Sequence, residues 1–109
     1  MADYEYNARV VRIVDGDTFD ADVDLGFHLT SRLRFRLLGI DAPEMRESAG
    51  PAAKAWLTEA IPVDKAVHIR TEKGDSFGRW LAVVYGDAGL ASVNDQMVAA
   101  GHAVPWKRK

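Results

Sequence analysis

The stretch TFDADVDLGFHLTSRLRFRLLGI, residues 18–40, decides the fold. Phe19, Ala21, Val23 and Leu25 alternate with Asp20, Asp22 and Asp24; beyond Gly26, Phe27 and His28, Leu33, Phe35 and Leu37 alternate with Arg32, Arg34 and Arg36. A period of two marks half-buried strands, so the stretch reads as a hairpin folded about residues 26–28. One face is apolar and the other sets aspartates against arginines. Cross-strand ion pairs of this kind contribute roughly a few tenths of a kcal/mol each, which is reason enough for Arg32 and Arg34. Arg36 stands apart, because it ends the strand where Gly39 interrupts the pattern and Asp41 and Glu44 follow in FRLLGIDAPE, residues 35–44.

Working outward, ARVVRIV (8–14) is a β-branched strand that ends at the turn signal DGDT (15–18). Downstream, Gly50 and Pro51 open a helix through AAKAWLTEAI (52–61), which Pro62 stops, and Trp56, Ala52, Ala55 and Ala60 are expected to pack on the sheet. VDKAVHIR (63–70) and GRWLAVVYGDAG (78–89) give two more strands. Ser92 and Asp95 then form a capping pattern for a short helix through Ala100 that stops at Gly101. Five strands in meander, with a helix inserted between strands 3 and 4 and a second short helix, predict a mainly β (α+β) fold. Its form is a five-stranded OB-type β-barrel, since closure removes exposed edges.

A chain of 109 residues with 48% hydrophobic content is expected to form a single domain over residues 1–109, with a core of about 8–106. It contains no cysteine, which excludes disulfides and thiolate metal sites. No apolar run approaches the roughly 18 residues of a membrane span, and the amino terminus lacks the basic and apolar regions of a signal peptide. A leaderless protein, cytoplasmic in the producing cell and without membrane contact, is therefore expected. The net charge of −2 argues against holding long duplex through many phosphates, so any nucleic-acid contact must be local. Lys107, Arg108 and Lys109 read as a solvated tail.

Asp17 ends the first turn and Asp41 follows the third strand, so a barrel that joins these strand ends puts two carboxylates at one rim. Either alone has an ordinary explanation as a turn residue. Together they suit Ca²⁺ or Mg²⁺, with backbone carbonyls and water completing the shell. Glu44 follows Pro43, which stiffens the backbone, and could take a proton from water as a general base. Arg79 follows Gly78 and could join Arg36 in a phosphate clamp, since guanidinium offers planar bidentate donors. The chemistry implied is phosphodiester hydrolysis. His28, His68 and His102 lack metal-ligand spacing and receive no role.

These residues resemble the staphylococcal nuclease-like (thermonuclease) family, through VVRIVDGDT (10–18), FRLLGIDAPE (35–44), GPAAKAW (50–56), DSFGRWLAVVY (75–85) and VNDQMVAAGHA (93–103). The resemblance implies a Ca²⁺-dependent nuclease that cuts single-stranded DNA and RNA and leaves 3'-phosphate ends. By motif position it implies Asp17, Asp41 and the Ala42 carbonyl as metal ligands, with Asp15 acting through a water. Glu44 takes the place of the base, and Arg36 and Arg79 that of the phosphate-binding pair. Where the family has a lysine and a tyrosine before the second arginine motif, this chain has Ser76 and Phe77; Phe77 can stack on a base but cannot hydrogen-bond a phosphate. Trp106 is a second candidate for base stacking, with packing as its alternative. The loop from Glu44 to Gly50 is shorter than in the founding member, and the family's long C-terminal helix is expected to be missing, leaving a monomer or weak self-association. The competing expectation is a non-catalytic barrel that binds single strands or a protein. Against it, carboxylates facing a polyanion repel phosphate unless a cation intervenes.

Overall fold

The alternating stretch forms β2 (Thr18–Gly26) and β3 (Leu29–Leu37) in a computed structural model that describes residues 4–72, 79–87 and 89–106. The two strands pair antiparallel from Thr18 opposite Arg36 to Gly26 opposite Leu29. Phe27 and His28 connect them with φ of 56° and 61°, the left-handed pair of a type I′ turn. Asp20 accepts both the Nε and Nη2 hydrogen bonds of Arg34, and Asp22 accepts the same pair from Arg32. The ladder thus ends before Arg36, whose cross-strand neighbour is Thr18.

β1 (Tyr4–Asp15) pairs antiparallel with β2 and with β5 (Ala66–Glu72). β6 (Trp80–Tyr85) pairs antiparallel with β5 and parallel with β3, closing the barrel in the order β1-β2-β3-β6-β5. The barrel and the helix inserted after its third strand agree with expectation, but the meander does not. A parallel neighbour needs a long crossover, and residues 38–79, with the helix α1 (Gly50–Ala60) and β5, supply it. β5 also begins three residues later than expected, because the Lys65 amide closes a turn on the Pro62 carbonyl and Asp64 has a φ of 72°.

On α1 the buried face is Gly50, Ala53 and Leu57, continued by Ile61, while Ala52 and Ala55 are exposed and Trp56 and Ala60 pack only partly. The helical period, rather than alanine content, selects that face. α2 (Val93–Ala99) starts at Ser92, whose hydroxyl accepts the Asp95 amide. It ends in a Schellman pair, Gly101 N–H to Val98 O and His102 N–H to Met97 O. The chain then pairs β7 (Val104–Pro105) with β4 (Ile40–Asp41), a two-stranded ribbon beside the barrel.

Inside the barrel the Phe19 and Phe35 rings stack at 5.5 Å, with Leu37, Ile69 and Val84 fully buried around the axis and Leu57, Ile61 and Met97 closing one end. The other mouth is an open apolar cavity of about 480 Å³ that includes Tyr4, Tyr6, Leu33 and Trp80. Leu25, expected inside by alternation, lies at this mouth and is 46% exposed. No described helix is long and apolar enough to cross a membrane.

Candidate functional site

The site begins at the turn between β1 and β2. Gly16 lets this turn press against α1 and the segment after β4: a Cβ there would lie 2.9 Å from the Ala53 Cβ and 3.0 Å from the Ala42 Cβ. The close approach seats Asp17 at 8% exposure. Its Oδ2 accepts the Ala42 amide at 3.2 Å and its Oδ1 accepts the Thr18 hydroxyl at 3.2 Å. Asp15 Oδ1 accepts the Asp17 amide at 3.1 Å, and the Leu37 amide donates to the Asp17 carbonyl. One turn is therefore tied to β3 and to the end of β4.

Arg36 reaches this turn from β3. Its Nη2 lies 3.1 Å from Asp41 Oδ1 and 3.7 Å from Asp17 Oδ2, so a single guanidinium edge spans both carboxylates. Arg79 Nη1 donates to the Thr18 hydroxyl at 3.4 Å, and that hydroxyl donates onward to Asp17. The expected group of Asp17, Arg36, Asp41 and Arg79, with Asp15 and Ala42 at its base, is thus assembled at one rim. Glu44 is placed differently. Its carboxylate is 62% exposed and pairs with Arg46 Nε at 2.6 Å. Phe77 and the Lys107–Lys109 cluster lie outside the described residues. Trp106 lies over Arg36, with the Cζ 5.4 Å from the ring centroid.

Burial pushes the Asp17 carboxyl up from 3.8 to about 6, helped by its Asp15 neighbour and opposed by the Ala42 amide and Arg36. The shift is chiefly the cost of taking this carboxylate out of water, which the Ala42 amide and Arg36 do not fully offset. Among the described residues, no three His, Asp or Glu side chains group to hold a metal ion, so a cation here would take two carboxylates and draw its other ligands from carbonyls and water. That all-oxygen set fits a hard divalent cation.

Two contributors escaped the sequence reading. Thr18 looked like a turn residue, yet it is 2% exposed and links Arg79 to Asp17. Asn94 is buried and bonds Val84 N–H, Leu38 O and Ala82 O, locking α2 to β6 and to the segment after Arg36. A polar residue at an apolar helix position was the available signal for Asn94.

Among known proteins, residues 34–109 match the family described as Staphylococcal nuclease homologue. The chain is 34% identical over 110 residues to a micrococcal nuclease of Shigella flexneri, covering 94% of this chain and 60% of that protein. It is 36% identical over 104 residues to an uncharacterized endonuclease of Escherichia coli O157:H7, covering 91% and 60%. A match to endonuclease YhcR of Bacillus subtilis, 31% identical over 115 residues, covers 94% of this chain and 9% of that protein. The chain thus spans about 60% of the length of the first two relatives.

Proposed function

The chain belongs to the staphylococcal nuclease homologue family, and from that premise we propose a calcium-dependent phosphodiesterase. It hydrolyses single-stranded DNA and RNA with little sequence specificity, because a phosphate carries no base information, and it leaves 3'-phosphate ends. The observation that carries the reading is the convergence of Asp17 and Asp41 on one edge of Arg36, with Arg79 joined through Thr18. A purely binding surface for a polyanion gains nothing from two carboxylates at its centre.

Asp17, Asp41 and the Ala42 carbonyl would hold Ca²⁺, with Asp15 reaching it through water. Bound there, the cation supplies positive charge against the phosphate oxygens. Arg36 then turns its donors from Asp41 to the phosphate, where planar paired N–H groups match two oxygens and stabilise the charge that develops during attack. Arg79 binds the same phosphate beside the leaving oxygen. Glu44 accepts the proton of the attacking water. Its present pair with Arg46 is exposed, and exposed pairs contribute at most about 1 kcal/mol, so it opens readily. Water oxygen bonds to phosphorus, the P–O5' bond breaks and the departing 5'-oxygen takes a proton from solvent water, leaving one fragment with a 3'-phosphate and the other with a 5'-hydroxyl.

Incubating the purified chain with end-labelled single-stranded DNA and RNA, in calcium or in chelator, tests this directly. Calcium-dependent fragments with 3'-phosphate ends, lost about 100-fold or more in kcat on Glu44→Gln, are the expected result. Tight single-strand binding without fragments would instead favour a binding barrel.

A further inference from the structure

The Arg36 guanidinium carbon lies over the Trp106 ring, 5.4 Å from its centroid, inside the ~6 Å range of cation–π attraction. The backbone fixes that contact. The Trp106 amide donates to the Gly39 carbonyl at 2.8 Å, and the preceding β7 pairs with β4, which carries Asp41. One short ribbon therefore delivers both the ring over Arg36 and the carboxylate at its edge. Stacking uses only the face of a guanidinium, and its five N–H donors lie in the plane. Here Nη1 donates to the Leu37 carbonyl and Nη2 to Asp41 Oδ1, so the ring removes water and side-chain freedom from Arg36 while both of these donors stay turned to the rim.

We propose that Trp106 is a positioning residue for Arg36: it holds the guanidinium in place so that its donors stay in the rim when Asp41 is given over to a cation and a phosphate arrives. The catalytic consequence rests on the nuclease reading, whereas the coupling of the two side chains rests on geometry alone. Base stacking is a different role, and it predicts a different pattern of loss.

The test is a double-mutant cycle with wild type, Trp106→Leu, Arg36→Ala and the double variant, plus Trp106→Phe as the conservative replacement. Melting temperatures establish that each variant is folded. In the wild-type background Trp106→Leu is expected to lower kcat about tenfold with KM little changed, and Trp106→Phe to recover most of it. In the Arg36→Ala background, where no cation remains for the ring to hold, Trp106→Leu should change neither constant. An equal loss in both backgrounds, or a rise in KM at unchanged kcat, would overturn the proposal in favour of base stacking. NMR of the Arg36 side-chain Nε–H reads the coupling without any turnover. An upfield ring-current shift in the wild type, lost in Trp106→Leu, supports it, and an unmoved resonance contradicts it. A wild type that does not cut would sink the nuclease reading while leaving this second readout decisive.

Discussion

Asp17 shows how one residue couples folding to the chemistry of the rim. Its carboxylate is surrounded by the Ala42 amide, the Thr18 hydroxyl and, farther off, Arg36, but burial outweighs their help and lifts its pKa to about 6. The unfolded chain releases this proton near 3.8, so between the two values the native state binds more protons than the unfolded state. The stability contributed by protonated Asp17 is therefore complete below 3.8 and falls as pH rises through about 6. With metal excluded, the loss between pH 4 and pH 7 is on the order of 2 kcal/mol, read as unfolding free energy from urea melts at those two pH values. Asp17→Asn should flatten that difference. Calcium should restore stability above pH 6, where the carboxylate is ionised, and have little effect near pH 4.

Two elements carry constraints of a different kind. The β2–β3 turn uses two L-residues at left-handed φ, and Phe27 is 94% exposed, so its ring gains nothing there that offsets the backbone cost. Replacing Phe27-His28 by Asn-Gly, the pair a type I′ turn favours, should stabilise the protein by about 1 kcal/mol and raise Tm by roughly 4–8 °C. At the start of α1, a Cβ on Gly50 would overlap the Glu44 carbonyl, which already accepts the Glu47 amide. Gly50→Ala must push that backbone away. The expected cost is about 1–3 kcal/mol in thermal or urea melts, with a fall in kcat because the displaced segment carries Glu44.

At the scale of the whole molecule, the sequence revealed what periodicity and turn chemistry can encode. Alternation placed β2 and β3 and their ion ladder, and the Ser92 and Gly101 signals placed α2. The parallel contact of β3 with β6 was not legible, since which strands become neighbours depends on how the crossover packs rather than on either strand's own pattern. The same limit hid the contact of Trp106 with Arg36, although the sequence singles out Trp106 for base stacking, because the ring reaches Arg36 only through a ribbon formed by residues far apart in the chain. Motif spacing did foretell that Asp17, Arg36, Asp41 and Arg79 meet, because a barrel leaves few ways to arrange those strand ends. The most direct test of their joint purpose is the rate at which the chain cuts heat-denatured DNA, in calcium and in chelator, with Arg36→Ala in parallel. Calcium-dependent cutting that falls at least about 100-fold in the folded variant is the predicted result. Cutting that is indifferent to chelator, or that survives unchanged in Arg36→Ala, would contradict a metal-assisted phosphodiester site at this rim.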